Sequence, residues 1–262
     1  MSDLREKSFG YPRFDENGEK LIMDRKGIYR DMMMDMQSYL MKAGDVRNIS
    51  SGEDEVAILL LKGRLELKFA GQTHTVQRGS FIEENAVCLH VCHHTDVSVL
   101  ALDDSEILLI ATDNPRDFAP TLYRQEDNHV NAACDGMWEN TAVRDVRTVF
   151  DYGNAPYSNL VLGETVMRPG RWAGYVPHYH EQPEVYYFRM ENPDGFGASF
   201  VGEEVFKIKD GSFCAVGPNL VHPQVAAPGY PILFVWVIRH VEGNPWVREA
   251  CKNEDVHQWL LK

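Results

Sequence analysis

A chain of 262 residues with 26 Lys and Arg against 39 Asp and Glu carries a formal charge of −13, which argues against nucleic acid or an anionic membrane surface as its partner. A hydrophobic fraction of 44%, with 5 Trp, 11 Tyr and 12 Phe, supplies a core for one large domain or two small ones. No apolar run reaches the roughly 18 residues that suggest a membrane span. Residues 1–11 are charged rather than leader-like, and the 5 irregularly spaced cysteines read as reduced thiols, so a cytoplasmic protein is expected.

Short β-type runs separated by turns follow along the chain. The first half predicts strands over 56–61, 65–69, 97–102 and 106–111, and the second over 160–166, 185–188, 212–216 and 232–238. So many short strands predict an all-β barrel or sandwich, with helical pattern mainly at 246–261. Between the halves, Asn114-Pro115, Ala119-Pro120 and a lack of periodic apolar residues mark a connection. The expected organisation is an N-terminal barrel at 1–118, a linker at 119–143 and a C-terminal barrel with its tail at 144–262. Arg144 and Arg147, just past the linker, read as surface or inter-barrel ion-pair residues.

The halves can be laid on one another. Asp54-Glu55-Val56 precedes a strand and Gly63, as Pro183-Glu184-Val185 precedes a strand and Gly195. Gly79-Ser80-Phe81 leads to His90 after 90 − 79 = 11 positions, and Gly211-Ser212-Phe213 leads to His222 after 222 − 211 = 11. Two matches in one order argue duplication. Counting back from Glu55 as one counts back from Glu184 to His178 and His180 lands on Ile49 and Ser51. The first barrel therefore reads as degenerate and structural, with His90 hydrogen-bonded or at the surface. Cys92-His93-His94 is a poor metal cluster, because adjacent side chains on a strand face opposite ways.

His178-Tyr179-His180, Glu184 and His222 carry the chemistry. Two histidines one residue apart on an extended strand share a face. A carboxylate and a third imidazole from neighbouring strands complete a cage of three nitrogens and one oxygen. Such a set suits Zn²⁺, Mn²⁺, Fe²⁺ or Ni²⁺ and can leave positions open for substrate. Parity along 184–189 puts Tyr186 and Phe188 on the face of Glu184, with Tyr187 and Arg189 opposite. Tyr186 is the first candidate for a polar catalytic group in the cavity. Arg189, as a clamp on a substrate carboxylate, and Tyr175 are further catalytic candidates, and His240 is a looser one.

An HxH pair with a Glu and a late His resembles the cupin superfamily, and a longer collinear series is more specific. It comprises Gly163-Glu164, Pro169-Gly170, Trp172, Tyr175, the run from Pro177 to His180, Glu184-Val185-Tyr186-Tyr187-Phe188-Arg189, Gly195-Phe196-Gly197, His222-Pro223, Ala226-Ala227-Pro228-Gly229-Tyr230 and His257-Gln258-Trp259. This series resembles the 5-deoxy-glucuronate isomerase family of myo-inositol catabolism. The resemblance implies a bicupin, two tandem double-stranded β-helix (jelly-roll) barrels, that converts 5-deoxy-glucuronate to 5-dehydro-2-deoxy-gluconate. It implies a divalent metal on His178, His180, Glu184 and His222, chelating the substrate's carbonyl and adjacent hydroxyl while a base moves a proton between neighbouring carbons. It further implies a small-molecule sugar acid as partner, and edge pairing of barrel sheets makes a homo-oligomer an open expectation.

The chain also departs from that family. Val235 and Trp236 stand where a Leu-Asn pair is usual, Arg239 and His240 replace a small Ala-Gly pair, and Leu220 replaces a glycine. An inward Trp236 would fill space that an amide leaves polar. Two other classes therefore stay open: a non-catalytic sugar-acid-binding cupin, and a metal-dependent cupin oxygenase.

Overall fold

The computed structural model describes residues 6–262. The chain forms two compact units, one of residues 12–128 with 153–159, the other of residues 6–11, 129–152 and 160–262. Both are antiparallel β structures, and helix among the described residues is short, mostly 3-10 in type.

The spine of the first unit is Asp54–Phe69, whose apolar run from Val56 to Leu61 suits a strand buried on both faces. Its first half pairs with Val87–Val91 and Ser105–Asp113, its second half with Gln72–Arg78 and Asp96–Ala101. The two strands predicted at 56–61 and 65–69 are thus one strand that changes sheets. It bends where its register slips between Leu60 and Lys62, next to Gly63 at φ +115°. A Cβ on Gly63 would fall 2.1 Å from Ser105 Oγ, so backbone angle and space both demand glycine. Val56, Ile58 and Leu60 from one half meet Leu65, Leu67 and Phe69 from the other in a single core.

In the second unit one sheet has seven strands. Their order is Phe9–Gly10, Phe213–Val216, Glu184–Arg189, Ile232–Arg239, Leu160–Met167, Arg144–Phe150 and His129–Ala133. The other runs Trp172–Ala173, Gln224–Ala226, Gly197–Val201 and Glu204–Ile208. Phe188, Ile232 and Phe234 from the first sheet and Val201, Ile208 and Ala226 from the second share its core.

Strand pairing repeats between the units. Asp54–Phe69 corresponds to Glu184–Arg189 plus Gly197–Val201, and its partners correspond in turn. The register corrects one predicted equivalence. His90 lies opposite Ala57, two residues past Glu55, and the residue opposite Tyr186, two past Glu184, is Cys214. The hairpin pairs Phe69 with Gln72 and Val201 with Glu204, and Phe69 also faces Val97. Extending the Ser199–Gln224 pairing by two residues sets His222 across from Val201, so its counterpart is Val97. The equal spacing of 11 arose from loops of different shape.

Two other expectations change. The stretch 119–143 is largely built into the sheets: Thr121–Tyr123 pairs with Val87–Val91, and His129–Ala133 with Arg144–Phe150. Tyr123 is 8% exposed, an apolar anchor that short runs conceal from periodicity. The helix expected over 246–261 is instead two 3-10 turns, Arg248–Ala250 and Asp255–Leu261. Between them Lys252–Asn253 is extended because it pairs with His178–Tyr179.

Candidate metal centre

Each candidate ligand is held by a different local device. His178–Tyr179 is a two-residue strand kept in place by pairing with Lys252–Asn253, and Glu254 N donates to Pro177 O at 2.9 Å. Glu184 opens a central strand between Phe213–Val216 and Ile232–Arg239. His222 sits in the loop just before Gln224–Ala226. Side-chain donor atoms of His180, Glu184 and His222 all lie within 4.8 Å of one another, and all three residues are buried. His178 lines the same cavity, its ring centroid 4.9 Å from that of His222.

The imidazole hydrogen bonds share one pattern. Nδ1 of His178 meets Val176 O at 2.9 Å, Nδ1 of His180 meets Gln182 O at 2.9 Å, and Nδ1 of His222 meets Leu220 O at 2.7 Å. A carbonyl only accepts, so each Nδ1 carries the hydrogen and a neutral ring presents the Nε2 lone pair inward. Nε2 of His180 and of His222 lie 3.2 and 3.3 Å from Glu184 Oε2. Tyr186 Oη donates to that same oxygen at 3.0 Å.

Burial opposes ionisation of Glu184, yet His180, His222 and Tyr186 hold its pKa below the ordinary value. Burial pushes His222 down to about 4, more than the pull of Glu184 restores, so its ring is neutral. Burial also lowers His178. The buried His222 Nε2 has no hydrogen-bond partner. The lone pair of the neutral His222 Nε2 and the Glu184 carboxylate oxygen, 3.3 Å apart, repel unless a cation sits between them. Ligands about 2.1 Å from a metal ion are about 3.0 Å apart in octahedral and about 3.4 Å apart in tetrahedral geometry. The observed 3.2 and 3.3 Å lie between these limits, so the residues fit a divalent metal.

The cavity is about 90 Å³ and takes walls from several strands. Tyr186, Phe234, Trp236 and Ile238 line it, as parity on their strands requires, so Trp236 does face inward. Its indole lies against Gly163, where a Cβ would come within 2.1 Å of the ring. The tail adds Trp246, and Arg248 at an exposed position.

Two catalytic candidates are placed elsewhere. Arg189 Nε pairs with Asp210 Oδ1 at 2.8 Å, because the strand's alternation turns it away from Glu184. The ring of Tyr175 packs on Trp138 and Trp172, and its carbonyl accepts from Arg144 Nη2 at 3.1 Å. His240 Nδ1 accepts from Trp246 N at 2.9 Å. Arg144, expected in a surface or inter-barrel ion pair, instead lines the cavity. Gln224 was missed, although its separation of two from His222 on an extended segment signals a shared face.

The first unit has no such centre. Its Glu55 accepts from Asn114 Nδ2 at 2.8 Å, Ser158 Oγ at 3.2 Å and Asn159 N at 2.8 Å, and His90 Nε2 is 3.4 Å away. His90 also packs on Phe118, with ring centroids 4.7 Å apart. Ile49 lies in the core, and Ser51 Oγ donates to Cys92 O at 2.9 Å. Among the described residues, His180, Glu184 and His222 form the one His/Cys/Asp/Glu group of this kind.

Two jelly-roll units, with a His/Glu cluster in the second alone, define a bicupin with a candidate metal centre. The chain belongs to the KduI/IolB family, whose pattern matches residues 11–260. It is 20% identical over 264 residues to the 5-deoxy-glucuronate isomerase of Bacillus licheniformis, covering 94% of each chain. The crystal structure of an IolB-like protein from Salmonella typhimurium LT2 superposes with TM-score 0.85 at 20% identity, over 97% of this chain and 99% of that one. An oxalate decarboxylase of Bacillus subtilis, studied for its Mn(II) centres, gives TM-score 0.65 at 11% identity, over 96% and 80%. At these identities the structural likenesses establish the shared cupin fold.

Proposed function

We propose that this protein is a metal-dependent sugar-acid isomerase that converts 5-deoxy-glucuronate to 5-dehydro-2-deoxy-gluconate, an aldose–ketose exchange. The observation that carries this reading is the neutral His222 Nε2, buried and unpartnered beside the Glu184 carboxylate, in a chain whose matched relatives include 5-deoxy-glucuronate isomerases. His178, His180, Glu184 and His222 would hold the ion, Mn²⁺, Zn²⁺, Fe²⁺ and Ni²⁺ all suiting nitrogen and carboxylate ligands. Such an ion supplies Lewis acidity toward a carbonyl and its neighbouring hydroxyl.

The remaining work falls to this chain's own groups. The Val176, Gln182 and Leu220 carbonyls fix the imidazole tautomers, as outer partners of metal-binding histidines do. Burial raises the Tyr186 phenol well above its ordinary pKa and Glu184 raises it further, so the group keeps its proton and orients the carboxylate as a donor. Phe234, Trp236 and Trp246 give the cavity an apolar lining, and apolar surroundings strengthen the charge interactions beside them.

Turnover of 5-deoxy-glucuronate by the metal-loaded protein, lost on chelation and restored by adding metal back, is the expected result. A second reading, a sugar-acid receptor without turnover, is favoured by the space Trp236 takes from the cavity. Calorimetric binding of the sugar acid by a fully metallated protein that converts none of it would establish that reading instead.

A further inference from the structure

The cavity contains two polar groups that the metal cluster does not use. Gln224 is 0% exposed, and neither its amide oxygen nor its amide nitrogen has a hydrogen-bond partner. Its backbone is pinned on both sides, opposite Ala173 and Ser199, and its side chain lines the cavity. A buried primary amide without partners is destabilising and rare in folded proteins. An amide that can both donate and accept suits a ligand whose hydroxyls do the same.

Arg144 is the second. Its Nη1 donates to Ala142 O at 2.9 Å and Cys134 Sγ at 3.3 Å, and its Nη2 donates to Tyr175 O at 3.1 Å. A guanidinium has five N–H donors, so these three contacts fix the group and leave Nε–H and one Nη2–H to offer. That pair forms the fork that grips a carboxylate through two parallel bonds. Arg248, the other arginine of the lining, is exposed, where water and salt screen its charge. The three acceptors that hold Arg144 are neutral, and the one carboxylate of the lining, Glu184, is already engaged by His180, His222 and Tyr186.

We infer that Arg144 and Gln224 are the substrate-reading pair of this site, Arg144 taking the carboxylate of an open-chain sugar acid and Gln224 its hydroxyls. The inference rests on the isomerase reading for its choice of ligand, but it is tested by binding. The probe is 5-deoxy-glucuronate reduced at its aldehyde with borohydride, which keeps the carboxylate and hydroxyls and cannot isomerise. The control is the neutral polyol with a hydroxymethyl group in place of the carboxylate. Both are titrated calorimetrically into metal-loaded wild type, Arg144→Gln and Gln224→Leu, with metal content and Tm measured on each.

Arg144→Gln weakens the acid roughly tenfold or more, the effect of a lost charge-assisted contact, and leaves the neutral polyol unchanged, so the preference for the acid collapses. Gln224→Leu weakens acid and polyol by a similar factor while metal content holds and Tm stays level or rises, since an unpartnered amide has been removed. A merely structural Gln224 lowers Tm without touching binding, and that result overturns its half of the assignment. Equal acid affinity in wild type and Arg144→Gln, or no acid binding by metal-loaded wild type, overturns the carboxylate subsite. Wild-type protein that binds the reduced acid through Arg144 but never converts 5-deoxy-glucuronate leaves the pair standing and removes the isomerase reading alone.

Discussion

Tyr186 Oη and Glu184 Oε2 are 3.0 Å apart, and that oxygen is also the one nearest His180 and His222. The phenol thus fixes the carboxylate that faces the imidazoles. Tyr186→Phe keeps the ring and removes the donor. A hydrogen bond to a charged group contributes about 1.5–3 kcal/mol, so turnover is expected to fall about ten- to a hundredfold with metal content retained. Wild-type kcat in the variant would rule out the orienting role.

His178→Ala and His222→Ala are expected to lose bound metal, measured by elemental analysis, while circular dichroism still reports folded β structure. Retention of full metal occupancy in both variants would sink the ligand assignment. His90→Ala should leave metal content intact, because His90 packs against Phe118 beside a Glu55 carboxylate already supplied with donors.

Stability of the metal-free protein should depend on pH with a definite sign. Folded His222 has a pKa of about 4 against an ordinary 6.5. Between those values the unfolded chain binds more protons, so stability rises with pH through this window and is lost as pH falls. Glu184, lowered from its ordinary value, works in the same direction. The His222 contribution reaches about 3 kcal/mol at most. Denaturant melts of chelated protein at pH 4.5 and pH 7 check it, and equal midpoints with equal slopes contradict it.

Gly163→Ala tests the packing behind the cavity. The added methyl meets the Trp236 indole, and overpacking of this kind costs about 1–3 kcal/mol. Trp236→Leu in the same chain should recover most of the loss. An additive double mutant would show that the two residues do not press on one another.

How much of this was legible in the sequence follows from what each signal measures. Alternation placed Tyr186, Phe234, Trp236 and Ile238 in the cavity and turned Arg189 away, because a pleat admits only two faces. Residue types and spacing pointed to His180, Glu184 and His222, whose donor atoms lie within 4.8 Å of one another, and to His178, which lines the same cavity. Spacing failed for His90, whose equal count from a glycine crosses loops that are not alike; only register shows that Cys214 and Val97 occupy the corresponding places. Arg144 and Gln224 escaped because a side chain's role inside a barrel depends on which partners its neighbours have already used. The extended Lys252–Asn253 escaped too, since two residues carry no period.

That short pairing has a consequence for biosynthesis. His178 and its partner Asn253 are 253 − 178 = 75 positions apart. At about 5–20 residues per second, the edge that steadies His178–Tyr179 emerges several seconds after that strand itself. Most of the second jelly roll can close in that interval, while this wall of the candidate metal centre waits for Lys252–Asn253. A nascent chain that has not yet released residues 246–253 would present a cavity still missing Trp246, Arg248 and that bracing strand.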